Sequence, residues 1–185
     1  MPRNIEIKAR ITSVELLRPR AEALAGAPAL LIEQDDTFFK VPHGRLKLRE
    51  FADGSAELIH YHRADSTKAK ASDYVRVPVP APAALREALA RANGVLGRVQ
   101  KQRWLCLVGS TRIHIDRVAD LGDFMELEVV LQDGQSDADG QAIAEGLMGQ
   151  LGLADAESPS ESPSDNPVER LSGSYLDLLV AAAER

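Results

Sequence analysis

The chain has 185 residues, 44% of them hydrophobic, enough for one domain with its own core and too little for two comfortable ones. Its formal net charge of -6 argues against a general nucleic-acid binder, and an aromatic content of 4% leaves few platforms for base stacking. A single cysteine, Cys106 in WLCLV, excludes an intramolecular disulfide and fits a reducing cytoplasm, where it reads as a small buried apolar residue.

The first residues run straight into an alternating segment, NIEIKAR, without a basic leader, apolar stretch or cleavage site, so a cytoplasmic location is expected. No window approaches the roughly 18 uninterrupted apolar residues of a spanning helix, and no membrane partner is expected. TSVELLRPRAEALAG predicts a helix: Thr12 and Glu15 have capping-box spacing, Leu17, Ala21 and Leu24 share a face, and Pro19 marks a kink or a start. APAALREALARANG predicts another, with Pro82 in the first turn, Leu85 and Leu89 one turn apart, and Gly94 as its stop. SDADGQAIAEGLMGQLG repeats the design with Ser136 as cap, a stripe of Ile143, Leu147 and Leu151, and Gly152 at the end. The stretch AESPSESPSDNP is too polar and too rich in Ser and Pro to fold, and predicts a flexible surface loop over 155–167. Helical spacing returns in GSYLDLLVAAAER through Leu176, Leu179 and Val180, which should pack back onto the body.

Eight other segments alternate with a period of two between turn residues: NIEIKAR, DTFFKV, GRLKLREF, SAELIHYHR, DYVRVPV, VQKQRWLCLV, TRIHIDRV and DFMELEVVL. They predict an antiparallel sheet or barrel with helices laid outside it, and ADGS at 52–55 and VGS at 108–110 read as hairpin turns.

The polar phase of these strands repeats one theme. Glu6, Lys8 and Arg10 oppose Ile5 and Ile7; Arg45, Lys47 and Arg49 oppose Leu46 and Leu48; Lys101 is in phase with Arg103. Arg112, His114 and Asp116 align against Ile113 and Ile115, Glu126 and Glu128 against Leu127 and Val129, and Glu57, Tyr61 and Arg63 share a phase more loosely. If the apolar phase lies under the helices, the charged phase converges on an inner side, where such crowding persists only with opposite charges or a bound ion as compensation. The two signs are segregated by strand, which points to a polyanion against the bases and a cation against the acids. A nucleoside triphosphate or inorganic triphosphate with Mg²⁺ or Mn²⁺ meets that description. His60 and His62 share a face, but no third ligand follows at a metal spacing, so they read as ordinary strand histidines.

With those residues laid out, the chain resembles the CYTH family, the triphosphate tunnel metalloenzymes, which include class IV adenylyl cyclases and thiamine triphosphatases. The likeness runs from NIEIKAR through GRLKLRE, AELIHYHR, QKQRW, RIHIDRV and FMELEVVL to SYLDLL, and is nearest to the bacterial cyclase-like branch. It implies an α+β fold in which eight antiparallel strands close into a tunnel-forming barrel, helices outside. It implies substrate contacts from Lys8, Lys47, Arg49, Arg63, Lys101 and Arg103, with Tyr61 an alternative register for Arg63. Glu6, Asp116, Glu126 and Glu128 correspond to metal ligands for Mg²⁺ or Mn²⁺, and Lys8, Arg103 and Asp116 to catalytic positions. Asn4 stands where the family has a first glutamate, and Arg170 is the base nearest to a C-terminal family lysine.

The activity expected from the resemblance is conversion of ATP to cyclic AMP and pyrophosphate. Hydrolysis of inorganic triphosphate or thiamine triphosphate is the alternative, and binding without turnover a third reading that Asn4 favours. The expected partner is a small-molecule triphosphate; nucleic acid is not expected, and the oligomeric state stays open, a homodimer included.

Overall fold

The structure is a computed structural model and describes residues 3–61, 74–155, 166–171 and 173–183. Its strands are β1 (Arg3–Arg10), β2 (Leu30–Phe39), β3 (Arg45–Phe51), β4 (Ala56–Tyr61), β5 (Tyr74–Pro78), β6 (Val95–Val108), β7 (Thr111–Val118), β8 (Gly122–Leu131), β9 (Leu153–Asp155) and β10 (Asn166–Arg170). Four helices complete it: α1 (Val14–Ala25), α2 (Pro82–Asn93), α3 (Asp137–Gln150) and α4 (Tyr175–Ala183). None of the described helices is long and apolar enough to cross a membrane.

The strands lie in the order β5-β4-β3-β2-β6-β7-β8-β1-β10-β9. The first nine pair antiparallel throughout, and β9 adds to β10 in parallel. The expected closed barrel of eight strands is therefore corrected: the ladder has two ends, and β5 pairs only with β4 among the described residues. One end is a five-residue strand finishing at Pro78, which has no N–H to donate, and the other is a three-residue strand. Alternation fixes which face a side chain takes, but carries no information on whether the outermost strands meet.

All eight expected strands are present, two of them longer than the alternation indicated. β2 begins at Leu30 and β6 at Val95, and the two pair almost end to end with a bulge between Phe38 and Phe39. The extra strands β9 and β10 flank the Ser/Pro-rich stretch, so Asp155, Asn166 and Pro167 lie in strands where a loop was expected. Residues 156–165 of that loop, and Arg63 and His62, lie outside the described residues.

Helix boundaries follow the local signals. Ser136 caps α3 as expected, and Asp139 completes a capping box that was not expected there, its carboxylate accepting from the Ser136 backbone N–H. Gly94 ends α2 at φ 79. At α1 the cap is Ser13, one residue later than Thr12, with its Oγ accepting from Leu16 N at 3.2 Å, and the helix runs through Pro19 to Gly26.

The two faces of the sheet differ in kind. Ile5, Ile7, Ile113, Ile115, Leu127 and Val129 form the outer face and bury under Leu17 and Ala21 of α1 and Ala144 and Leu147 of α3. Further along, Phe39, Leu48 and Ala56 are covered by Leu85 and Leu89 of α2. Each fully buried aliphatic side chain contributes about 1.5–3 kcal/mol, and a one-residue slip of any strand would forfeit the whole set. Register is thereby fixed, and every charged residue of the opposite phase is forced onto the inner face.

Close packing makes one helix position testable. A Cβ on Gly140 of α3 would lie 2.5 Å from Leu131 Cδ2 and 2.7 Å from Ile5 Cγ1, whereas one on Gly146 would meet nothing within 4 Å. Gly140→Ala should lower stability by about 1–3 kcal/mol through overpacking, while Gly146→Ala should raise it by up to about 1 kcal/mol through helix propensity. Thermal or urea denaturation of the two variants checks this; equal shifts would contradict the packing.

Candidate active site on the inner face

The inner face is built on a device used twice. On β3, Lys47 and Arg49 stand two residues apart and project to the same side, beside Asp36 of β2, whose register partner is Arg49. Arg49 Nε donates to Asp36 Oδ1 at 2.7 Å, and Arg49 Nη2 and Lys47 Nζ both donate to Oδ2 at 2.7 Å. On β6, Lys101 and Arg103 repeat the spacing, and Asp116 of β7 is the register partner of Arg103. Arg103 Nε donates to Asp116 Oδ1 at 2.7 Å and Nη2 to Oδ2 at 2.6 Å, while Lys101 Nζ lies 3.5 Å from Oδ2. Each guanidinium thus spends Nε and Nη2 on its aspartate, which leaves Nη1 outside these pairs.

The acidic strand adjoins the second device. Glu126 on β8 accepts from Arg103 Nη2 at 3.1 Å and lies 3.6 Å from Lys8 Nζ, its register neighbour on β1. Glu128, one step along, takes two bonds of 3.0 Å from Arg112 Nη1 and one of 3.0 Å from Asn4 Nδ2. Asn4 Nδ2 also lies 3.3 Å from Glu6 Oε1, so this amide spans two carboxylates that face each other directly in the β1–β8 register.

Helix α4 closes one end of this face. Tyr175 donates its hydroxyl to Asp116 Oδ2 at 2.8 Å, and its ring carries Lys8 Nζ at 4.5 Å and Lys101 Nζ at 5.2 Å from the centroid. Tyr175 and Leu176 pack with Phe38, Val99, Val118 and Phe124. Arg45 fixes the helix start from the sheet side, with Nη1 donating to Ser174 Oγ and Nη2 to Asp177 Oδ1, both at 2.7 Å.

Burial sets the charge states. It draws Lys101 down to about 7, with the Arg103 charge adding to the effect, and Lys47 down to about 8 against the pull of Asp36. Burial pushes Asp116 up, but the Lys101 and Arg103 charges and the Arg103 hydrogen bonds outweigh it and hold the carboxyl at about 2. Asp36 is likewise held well below the usual carboxylate range, where the Arg49 hydrogen bonds and the Lys47 and Arg49 charges overcome burial. Glu126 is held down against burial chiefly by Lys8, and Tyr175 is pushed up by burial and by the neighbouring Asp116 and Glu126. Five cations, Lys8, Lys47, Arg49, Lys101 and Arg103, therefore share this zone with three carboxylates, Asp36, Asp116 and Glu126, inside a chain of net charge -6. The local excess is positive and preorganised.

Of the residues expected to contact substrate, Lys8, Lys47, Arg49, Lys101 and Arg103 come together, and Tyr61 adds an aromatic ring 5.8 Å from Lys47 Nζ. Arg170 does not join them; it pairs with Glu145 of α3 at 2.8 Å. Among the expected metal-ligating positions, Asp116 is 0% exposed and taken up by Arg103, Lys101 and Tyr175. Glu6 and Glu128 offer hard oxygen donors at facing positions. Among the described residues no three His, Cys, Asp or Glu side chains already converge as a metal site. Two facing carboxylates, toward both of which Asn4 turns its amide nitrogen, fit a small divalent ion that keeps its waters and takes further oxygens from a bound phosphate. Two side chains of this candidate site escaped the sequence reading, Asp36 and Tyr175, while Arg45 stood there in phase with Lys47 and Arg49 without its link to α4. Asp36 left a trace as a charge in phase with Phe38 in DTFFKV.

The pattern of the CYTH domain family matches residues 2–159. No functionally curated protein matches the sequence. Among solved structures, the PH1012 protein of Pyrococcus horikoshii OT3 is 24% identical with a TM-score of 0.74, covering 95% of this chain and 98% of that one. A conserved hypothetical protein of Pyrococcus furiosus is 20% identical with a TM-score of 0.73, covering 95% and 99%. A proposed adenylate cyclase of Vibrio parahaemolyticus is 16% identical with a TM-score of 0.67, covering 96% and 97%. At these identities the likeness is one of fold, and the family match over most of the chain carries the assignment. An inner face that gathers basic pairs, an acidic strand and an N-terminal Glu-x-Lys within that fold places the chain in the CYTH domain family, whose enzymes act on triphosphates.

Proposed function

We propose that the chain is a metal-dependent enzyme that binds a triphosphate on the inner face of its sheet and acts as a class IV adenylyl cyclase, converting ATP to cyclic AMP and pyrophosphate. The observation that carries the reading is the pair of lysine–arginine couples, Lys47 with Arg49 and Lys101 with Arg103, each held by a buried aspartate. Positioning and charge neutralisation supply most of the rate in nucleotidyl and phosphoryl transfer, so preset cations are the machinery such a reaction needs.

In this reading Lys47, Arg49, Lys101 and Arg103 hold the β- and γ-phosphates, with Arg103 oriented by Asp116. Lys8, beside Glu126 on the adjoining strand, faces the α-phosphate. The ribose 3′-hydroxyl oxygen attacks the α-phosphorus as its proton passes to solvent, the bond from the α-phosphorus to the oxygen bridging it to the β-phosphorus breaks, and pyrophosphate leaves into the grip of the same cations. Glu6 and Glu128 would hold a Mg²⁺ or Mn²⁺, which would supply charge neutralisation and lower the pKa of the attacking hydroxyl. A second reading, triphosphate binding without turnover, is favoured by one observation: Asn4 presents an amide nitrogen to both Glu128 and Glu6.

Incubation of the purified protein with ATP and with inorganic triphosphate, with Mg²⁺ or Mn²⁺ and with chelator, separates the readings. Cyclic AMP and pyrophosphate formed only with metal are the expected products. Orthophosphate would assign a hydrolase instead, and saturable binding without product would assign the non-catalytic binder.

The lysine pKa values give a second test. Phosphate oxygens favour the protonated ammonium, so affinity should be full below about pH 7 and fall as pH rises through about 7, where Lys101 loses its proton, and about 8, where Lys47 does. Calorimetric titration with inorganic triphosphate in buffers of different ionisation enthalpy should report proton uptake near pH 7.5, approaching about one proton per lysine at higher pH. Affinity independent of pH across this window would contradict the assignment.

A further inference from the structure

The two lysine–arginine couples are not equal. In the first, Asp36 takes Arg49 Nε on Oδ1 and both Arg49 Nη2 and Lys47 Nζ on Oδ2, all at 2.7 Å. In the second, Asp116 takes Arg103 Nε on Oδ1 at 2.7 Å and Nη2 on Oδ2 at 2.6 Å, but the remaining place on Oδ2 goes to the Tyr175 hydroxyl at 2.8 Å. Lys101 Nζ is left 3.5 Å from that oxygen, at the limit of a hydrogen bond. Tyr175 thus occupies on Asp116 the position that a lysine holds on Asp36.

Lys101 is 9% exposed, and an ammonium has three protons to place. Directly across the β2–β6 ladder stands Gln34, its register partner, so the two side chains leave the sheet on the same face with Cβ atoms about 4.5–5.5 Å apart. Gln34 is 8% exposed, and its Oε1 is buried without a hydrogen-bond partner. Buried polar atoms in native proteins are nearly always paired. On its other side Gln34 is in register with Phe51, which has no side-chain donor, and its diagonal neighbours Arg49 and Arg103 are each committed to an aspartate. A buried acceptor that lacks a donor therefore faces a buried cation with donors to spare.

We propose that Gln34 is a positioning residue for Lys101: its side-chain oxygen accepts a hydrogen bond from the ammonium while a second ammonium proton turns to a phosphate oxygen, so that Lys101 moves from Asp116 to the ligand. The proposal rests on the triphosphate reading of the charged zone. An amide oxygen suits this task because it directs the ammonium without neutralising it, whereas a further carboxylate would cancel the charge that the phosphates meet. Tyr175 acts from the opposite side, filling Asp116 Oδ2 so that Lys101 is not locked there as Lys47 is on Asp36. One couple is then a fixed clamp, and the other carries the movable cation.

Gln34→Met keeps the length of the side chain and removes the acceptor. Calorimetry with inorganic triphosphate and Mg²⁺ should show binding about tenfold weaker than wild type, the loss expected for one hydrogen bond to a charged group. In a Lys101→Met background the same change should alter affinity by no more than about twofold, because the group it acts through is gone. Urea denaturation of the ligand-free protein separates positioning from support of the fold: removing a buried unpaired oxygen should leave the Gln34→Met midpoint at or above that of wild type. No loss of affinity, an undiminished loss in the Lys101→Met background, or a midpoint that falls together with the affinity would overturn the role of Gln34 and leave the triphosphate reading standing. Wild type that binds no triphosphate would overturn both.

Discussion

Taking an ammonium or guanidinium ion out of water costs several kcal/mol, and this sheet does so repeatedly within one zone. The cost is bearable only because each lysine–arginine couple shares one aspartate: Asp36 for Lys47 and Arg49, Asp116 for Lys101 and Arg103. The compensation is incomplete, as the low pKa values of Lys47 and Lys101 record. Residual positive charge in a preset arrangement is what an incoming polyanion would relieve. Fold and site are therefore coupled: apolar packing on the outer face sets the register, and the register brings the charges together.

Much of this was legible because alternation is a local property. Leu46 and Leu48 against Lys47 and Arg49 fixes which atoms face inward before any partner strand is known, and Ser136 or Gly94 signals a helix end within one turn. Pairing is another matter. Asp36 reaches Lys47 and Arg49 only through the β2–β3 register, and Tyr175 reaches Asp116 across 59 positions of chain, so neither contact leaves a local mark. β9 and β10, of three and five residues beside a Ser/Pro-rich stretch, are too short to show a period at all. The ends of the ladder escaped for the same reason, since closing a sheet depends on strands far apart in sequence.

The inner face is also graded along the strands. At one end Phe38, Val99, Val118 and Phe124 are sealed by α4; in the middle lie the charge couples; at the other end Leu30, Ile32, Leu105 and Leu107 remain uncovered by the apolar clusters. The grading also gives Tyr175 a dual role, as a wall of the apolar end and as a hydrogen-bond donor that helps hold Asp116 against Arg103.

The central claim is that ionic side chains from separate strands share one desolvated zone. Its most direct test is an NMR titration of lysine side chains in uniformly ¹³C-labelled protein without ligand, with Lys47 and Lys101 assigned by Lys→Arg substitution. The account predicts midpoints of about 8 for Lys47 and about 7 for Lys101. Midpoints near about 10.4 for both, the value of a hydrated lysine, would mean that these cations lie in open water, and would contradict it.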